Sequence, residues 1–66
     1  MSIILTVENA EGQHTLFRDG NYWGDVYPRD DAFVHIVVFY GSDMLSVYAL
    51  VNDWRDMLKT LDRLQF

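Results

Sequence analysis

The sequence predicts an α+β domain, with an antiparallel sheet of four or five strands in meander order and one C-terminal helix packed on one face. Two observations lead to this fold. From Ala32 to Tyr40 the chain is apolar in both registers of a strand, apart from His35, so this strand needs paired neighbours on both sides and cover on both faces. After Asn52 the apolar residues recur instead with the period of an amphipathic helix.

The sheet is built from short apolar runs separated by turn-forming residues. Asp19-Gly20-Asn21 and Gly41-Ser42-Asp43 are typical of hairpin turns, and Pro28 followed by three polar residues predicts an exposed connection. Gly24 either weakens the third strand or marks a β-bulge. Strands are expected at Ile3–Val7, Gln13–Arg18, Tyr22–Tyr27, Ala32–Tyr40 and Met44–Val51.

The helix is expected from Asp53 to Leu64. Its apolar stripe consists of Trp54, Met57, Leu58, Leu61 and Leu64. Asn52 or Asp53 can cap its first turn, and acidic residues near the start and basic residues near the end match the helix dipole. An isolated helix of this length is marginal in water, so its stripe should lie against the sheet.

Length and composition limit the architecture and the compartment. A chain of 66 residues forms one domain, residues 1–66, and half of its residues are hydrophobic, which disfavours disorder. The absence of cysteine indicates a reducing compartment, or at least no dependence on an oxidising one, with the cytoplasm as the default. The N-terminus lacks a basic region followed by a long apolar run, and no segment has the length of a membrane span, so neither export nor membrane insertion is expected.

One helix covers only one face of the predicted sheet. Either the sheet curls into a half-barrel or a partner covers the second face. Tyrosines present an apolar ring and a polar hydroxyl and suit such a half-wet surface. The chain has four of them, Tyr22, Tyr27, Tyr40 and Tyr48.

Residues able to support catalysis or metal binding are sparse and scattered. His14 and His35 are the only imidazoles and no cysteine accompanies them, so we expect His35 in or beside the core and His14 on the surface. The serines lack a neighbouring base at a catalytic spacing, and the glycines are too dispersed to bind phosphate. We therefore expect no enzymatic activity, no catalytic residues, no metal site and no cofactor.

Acidic residues are concentrated in the first half of the chain. Residues 8–31 hold six acids against two arginines, within a net charge of −5 for the whole chain. The negative electrostatic potential of such a surface repels nucleic acid and attracts basic protein surfaces. The expected partner-binding residues are these six acids with the aromatic residues between them: Glu8, Glu11, Asp19, Tyr22, Trp23, Asp25, Tyr27, Asp30 and Asp31.

In size, acidity and lack of catalytic motifs, the chain resembles the small phage-encoded inhibitors of bacterial defence, such as anti-CRISPR and DNA-mimic proteins. The resemblance is one of composition and transfers no residues. It implies a non-enzymatic protein that binds and blocks a basic, nucleic-acid-binding site on a partner protein. The alternative is a structural or regulatory subunit that associates through its exposed sheet face, including as a homodimer. Direct contact with nucleic acid or membrane is not expected in either case.

Overall fold

The computed structural model describes residues 2–64. It contains a single antiparallel five-stranded sheet in meander order, followed by one helix, so the predicted α+β fold is confirmed. In chain order the elements are β1 (Ile4–Glu8), β2 (His14–Arg18), β3 (Asn21–Pro28), β4 (Phe33–Tyr40), β5 (Asp43–Leu50) and α1 (Trp54–Arg63).

The apolar strand β4 has hydrogen-bonded neighbours on both sides, as its sequence requires, although β3 is the middle strand. The predicted bounds are correct to within a residue or two. Gly41 and Ser42 alone connect β4 to β5, because Tyr40 pairs directly with Asp43. Gly41 adopts a positive φ of 61°, which this tight turn demands.

A β-bulge interrupts β3. Leu16 of β2 pairs with Gly24, whereas the next residue Phe17 pairs with Tyr22, so Trp23 is an extra residue on β3. The bulge shifts the alternation of side chains. As a result Trp23 and Val26 point toward the helix, while Tyr22, Asp25 and Tyr27 point away from it.

The hydrophobic core lies between α1 and one face of the sheet. It comprises Leu16, Trp23, Val26, Val34, Ile36, Val38, Ala49, Trp54, Leu58 and Leu61. The predicted helix stripe is thus confirmed for its buried members, whereas Leu64 follows the helix and is exposed. Asp53 occupies the N-cap position but its side chain makes no capping hydrogen bond.

Tyr40 belongs to the core side of the sheet, contrary to its predicted place on the uncovered surface. Its hydroxyl donates a hydrogen bond to the carbonyl of Leu61 at 2.6 Å, and its ring meets that of Trp23 edge-on at 6.3 Å. Register places Tyr40 there, because it lies on the same face of β4 as the buried Ile36 and Val38.

Candidate protein-binding face

The sheet surface opposite α1, here called the open face, is largely apolar and exposed. It is formed by Leu5, Val7, Thr15, Phe17, Tyr22, Asp25, Tyr27, Phe33, His35, Val37, Phe39, Met44, Ser46, Tyr48 and Leu50. Among the described residues twelve large hydrophobic side chains are exposed, and all but Ile3, Val51 and Leu64 are members of this face. Such a concentration differs from the singly scattered apolar side chains that are normal on a protein surface.

A carboxylate lies on the middle strand of the open face. The Tyr22 hydroxyl donates a hydrogen bond to Asp25, and this bond raises the pKa of Tyr22 to about 12. Burial, followed by the neighbouring Asp25 carboxylate, also raises the pKa of Tyr27. Both tyrosines therefore remain neutral donors at physiological pH, beside an acidic group that can accept a further hydrogen bond.

Aromatic rings extend from this position toward β5. Tyr27 and His35 have ring centroids 6.4 Å apart, and His35 stacks on Tyr48 at 4.8 Å. The Arg29 guanidinium lies over the other end of this row, 5.0 Å from the Tyr48 ring. Since Tyr48 is more than half exposed, at 54%, the row presents ring surface to solvent.

The two histidines have the reverse of their predicted placements. His35 lies on the open face and hydrogen-bonds Ser46. The side chain of His14 is only 12% exposed, and its ring packs against Trp54 with centroids 4.8 Å apart. The cause is again register, because even-numbered residues of β2 point toward the helix, as Leu16 does, whereas His35 falls between the buried Val34 and Ile36.

The predicted acidic residues do not form one continuous row. Glu8 ends β1 and Glu11 lies in the β1–β2 turn, while Asp30 and Asp31 lie in the β3–β4 turn. These four acids are at the same end of the sheet. Asp19 lies at the opposite end, where its carboxylate accepts the backbone N–H of Ile3 at 2.8 Å. Of the six acids, only Asp25 is a member of the open face.

Asp30 has a structural role in the β3–β4 turn. Its carboxylate accepts the backbone N–H groups of Ala32 and Phe33 at 2.8 and 2.9 Å. These two hydrogen bonds lower the pKa of Asp30 below its ordinary value. A carboxylate engaged in this way shapes the turn and has fewer free lone pairs for a partner.

The prediction that Trp23 belongs to the contact area is wrong. Its side chain is 2% exposed and lies in the core on the helix side, with the Arg18 guanidinium 5.0 Å from its ring centroid. The strand position of Trp23 was predicted, but an aromatic residue beside Tyr22 must point to the opposite face of the strand. The structure thus brings together Tyr22, Asp25 and Tyr27 from the predicted set.

Several members of the open face were absent from the predicted set. Phe33, Phe39, Met44 and Leu50 alternate with core residues on β4 and β5, and each is exposed. The sequence did indicate these residues, because both registers of the two strands are apolar. It predicted a second apolar face without specifying which register the helix covers.

Comparisons of the chain with family models, curated proteins and solved structures found no match. Within residues 2–64 no helix is long and apolar enough to span a membrane. The same residues contain no group of three or more histidine, aspartate or glutamate side chains arranged to hold a metal ion.

Proposed function

We propose that this chain is a non-enzymatic protein-binding domain whose contact surface is the open face, and that its partner presents an apolar surface bearing a lysine or arginine. The carrying observation is the Asp25 carboxylate between Tyr22 and Tyr27, surrounded by exposed apolar side chains. Apolar contacts supply the affinity, and the carboxylate supplies orientation and specificity.

The chemistry of the face favours a cationic group on the partner. An arginine can donate to Asp25 while its planar guanidinium stacks on a tyrosine ring. Arg29 over Tyr48 makes such a stacking contact within the chain itself. Burying Asp25 against a purely apolar surface would leave its charge uncompensated, at a cost of several kcal/mol.

The size of the face is compatible with a specific but small interface. Five strands at about 4.8 Å spacing and up to eight residues in length give on the order of 500 Å² of flat area. A standard interface buries about 800 Å² per partner. The adjoining acidic turns, with Glu11 and Asp31, extend the surface and steer a basic partner toward it.

The resemblance to phage-encoded inhibitors gives this proposal its specific form. A partner with a basic, nucleic-acid-binding site would be blocked when the domain occupies that site. What supports this form is the distribution of acidic residues, five of which lie on the open face or at the end of the sheet where Glu11 and Asp31 are found. Inhibition and phage origin stay predictions of the sequence.

The alternative is a subunit that pairs with a second copy through the same face. Two sheets packed face to face would bury the exposed rings in a sandwich. This arrangement brings together two copies of a chain with a net charge of −5 and buries two Asp25 carboxylates, so the cationic partner is the better fit.

The test compares two double variants, each of which removes one negative charge. Asp25→Asn with Tyr48→Ser alters the open face, whereas Asp56→Asn with Thr60→Ser alters the exposed surface of α1. Each immobilised protein is exposed to a bacterial extract at low and high salt, and the retained proteins are identified and assayed for nucleic-acid binding. We expect the wild type and the helix variant to retain the same basic protein at low salt, and the open-face variant to lose it.

Retention unaffected by the open-face substitutions would contradict the proposal. So would dimerisation of the wild type in sedimentation experiments that is insensitive to salt and abolished by Phe39→Ser. That second result would establish the subunit alternative. Circular dichroism melts of every variant separate a loss of binding from a loss of folding.

A further inference from the structure

β1 leaves one edge of the sheet unpaired. Its partner on one side is β2, and within residues 2–64 no strand pairs with its other side. Asn9 N–H donates to the Gln13 carbonyl, and Asp19 N–H donates to the Ile3 carbonyl, both at 2.9 Å. Because hydrogen-bonded pairs alternate along an antiparallel ladder, the backbone groups of Ile4 and Thr6 point away from β2.

A groove of about 940 Å³ lies between this free edge and α1. One wall includes Ser2, Ile4 and Thr6, and the other includes Arg55, Lys59 and Arg63. The groove therefore combines unpaired backbone donors and acceptors on one side with cationic side chains on the other.

The positive charge of the groove comes from a regular stripe on α1. Arg55, Lys59 and Arg63 are spaced four residues apart and so follow one another along one side of the helix. They account for most of the five basic residues in an otherwise acidic chain. Among the described acids, Asp56 approaches Lys59 to 3.7 Å, whereas Asp62, which also lines the groove, approaches Arg18 to 3.5 Å.

The helix and the sheet edge run alongside one another. Arg18, which pairs with Ile4, contacts Asp62 near the end of α1, and His14, which pairs with Glu8, contacts Trp54 at its start. Four helical residues advance by about 6.0 Å, and two strand residues advance by about 6.8 Å. Alternate side chains of an added strand would therefore nearly match the spacing of the cationic stripe.

We infer that this groove binds an extended acidic peptide segment of a partner protein, which pairs with β1 and lengthens the sheet. The peptide backbone forms hydrogen bonds with the outward-facing N–H and C=O groups of Ile4 and Thr6, as in other cases of strand addition to a sheet edge. Its acidic side chains face Lys59 and Arg63. Its intervening side chains, on the other face of the sheet, lie beside Leu5 and Val7, which are both 57% exposed.

The preferred ligand is therefore a segment in which acidic and apolar residues alternate. This site is separate from the centre of the open face and is of opposite charge, so the inference does not depend on the proposed function. A single-stranded nucleic acid is also anionic, but it offers no backbone N–H groups in the register of a β-ladder.

The test uses the capped peptide acetyl-Glu-Val-Glu-Thr-Glu-Val-Glu-amide, its counterpart with lysine in place of glutamate, and an oligothymidylate as the nucleic-acid probe. Each is titrated into the ¹⁵N-labelled protein. We expect the glutamate peptide alone to bind, to slow hydrogen exchange of the Ile4 and Thr6 amides, and to bind less tightly as salt increases. Lys59→Glu with Arg63→Glu should weaken binding by about tenfold or more.

A matched pair of proline variants isolates the backbone contribution. Thr6→Pro removes an outward N–H from the β1 edge, and Met44→Pro removes the equivalent group from the opposite edge on β5. We expect the first to abolish peptide binding and the second to leave it unchanged. No binding at millimolar peptide, equal binding of the lysine peptide, tighter binding of oligothymidylate, or unchanged affinity in the charge-reversed protein would each overturn the inference.

Discussion

Gly24 lies at the bulge of β3, beside the backbone of β4. A Cβ atom at this position would lie 2.0 Å from the Val37 carbonyl oxygen and 2.8 Å from the Val38 Cα. The bulge also changes the phase of the strand, because strict alternation from Tyr22 would place Asp25 on the core side. One glycine thus permits the geometry that brings Tyr22 and Asp25 to the same face.

Gly24→Ala should destabilise the domain by about 3 kcal/mol or more, because rigid backbone of β4 must move to accommodate the methyl group. Urea unfolding measures the loss. Gly20→Ala is the control, since no heavy atom lies within 4 Å of its added Cβ and only the positive φ of 84° is strained, at a cost of about 1–2 kcal/mol. A smaller loss at Gly24 than at Gly20 would contradict the packing argument.

Asp30 gives the stability of the fold an acid dependence. Its pKa is lowered in the folded protein by the backbone N–H groups of Ala32 and Phe33. The ionised form is therefore favoured by folding, and its contribution is complete above the ordinary pKa of 3.8 and is lost as pH falls through the lower folded-state value.

Asp30→Ala should lower the urea midpoint at pH 7 and flatten its dependence on pH below about 4. Asp30→Asn retains a side-chain acceptor for the turn but does not titrate, so it should flatten the acid limb while preserving most of the midpoint at pH 7. An acid limb that is unchanged in both variants would show that the two hydrogen bonds do not favour the carboxylate.

Helix α1 packs on the sheet through one side only. Trp54, Leu58 and Leu61 are buried, and the Leu61 carbonyl also accepts the Tyr40 hydroxyl. The remaining positions are charged or polar and exposed, apart from the half-buried Met57 and Asp62. Packing on the sheet, rather than intrinsic propensity, therefore keeps these ten residues helical.

Leu61→Ala should cost about 2–5 kcal/mol, since it leaves a cavity between α1 and the sheet. Leu64→Ala is the matched control, because Leu64 is exposed and its truncation should change stability by less than about 0.5 kcal/mol. Thermal and denaturant melts distinguish the two. Equal losses would mean that Leu61 contributes no more packing than an exposed leucine.

At the scale of the whole molecule, the periodicity of the apolar residues was sufficient to predict the fold. The apolar run of β4 and the helical spacing of Trp54, Leu58 and Leu61 predicted a sheet covered by one helix, and these patterns are local properties of the sequence. Strand order followed because short turns connect antiparallel neighbours.

The candidate site was less predictable, because it depends on which face of each strand the helix covers. With both registers of β4 apolar, the sequence could not decide between Ile36 and Phe39 as core residues. The bulge at Gly24 then altered the phase of β3, so that Tyr22 and Asp25 share the open face while Trp23 lies in the core. One extra residue is enough to shift the register of a strand, and the shift moves every later side chain to the opposite face of the sheet.

The meander also determines the order in which a newly synthesised chain can assemble. Each strand pairs with the next one along the sequence, so hairpins can form as soon as both of their strands have emerged. Helix α1 is the last element of the described residues, and before it packs on the sheet none of the other described elements covers either face. Until residues 54–63 have been synthesised and have packed on the sheet, the growing chain therefore exposes two apolar surfaces. Chaperones, proteases and other growing copies of the chain can contact them.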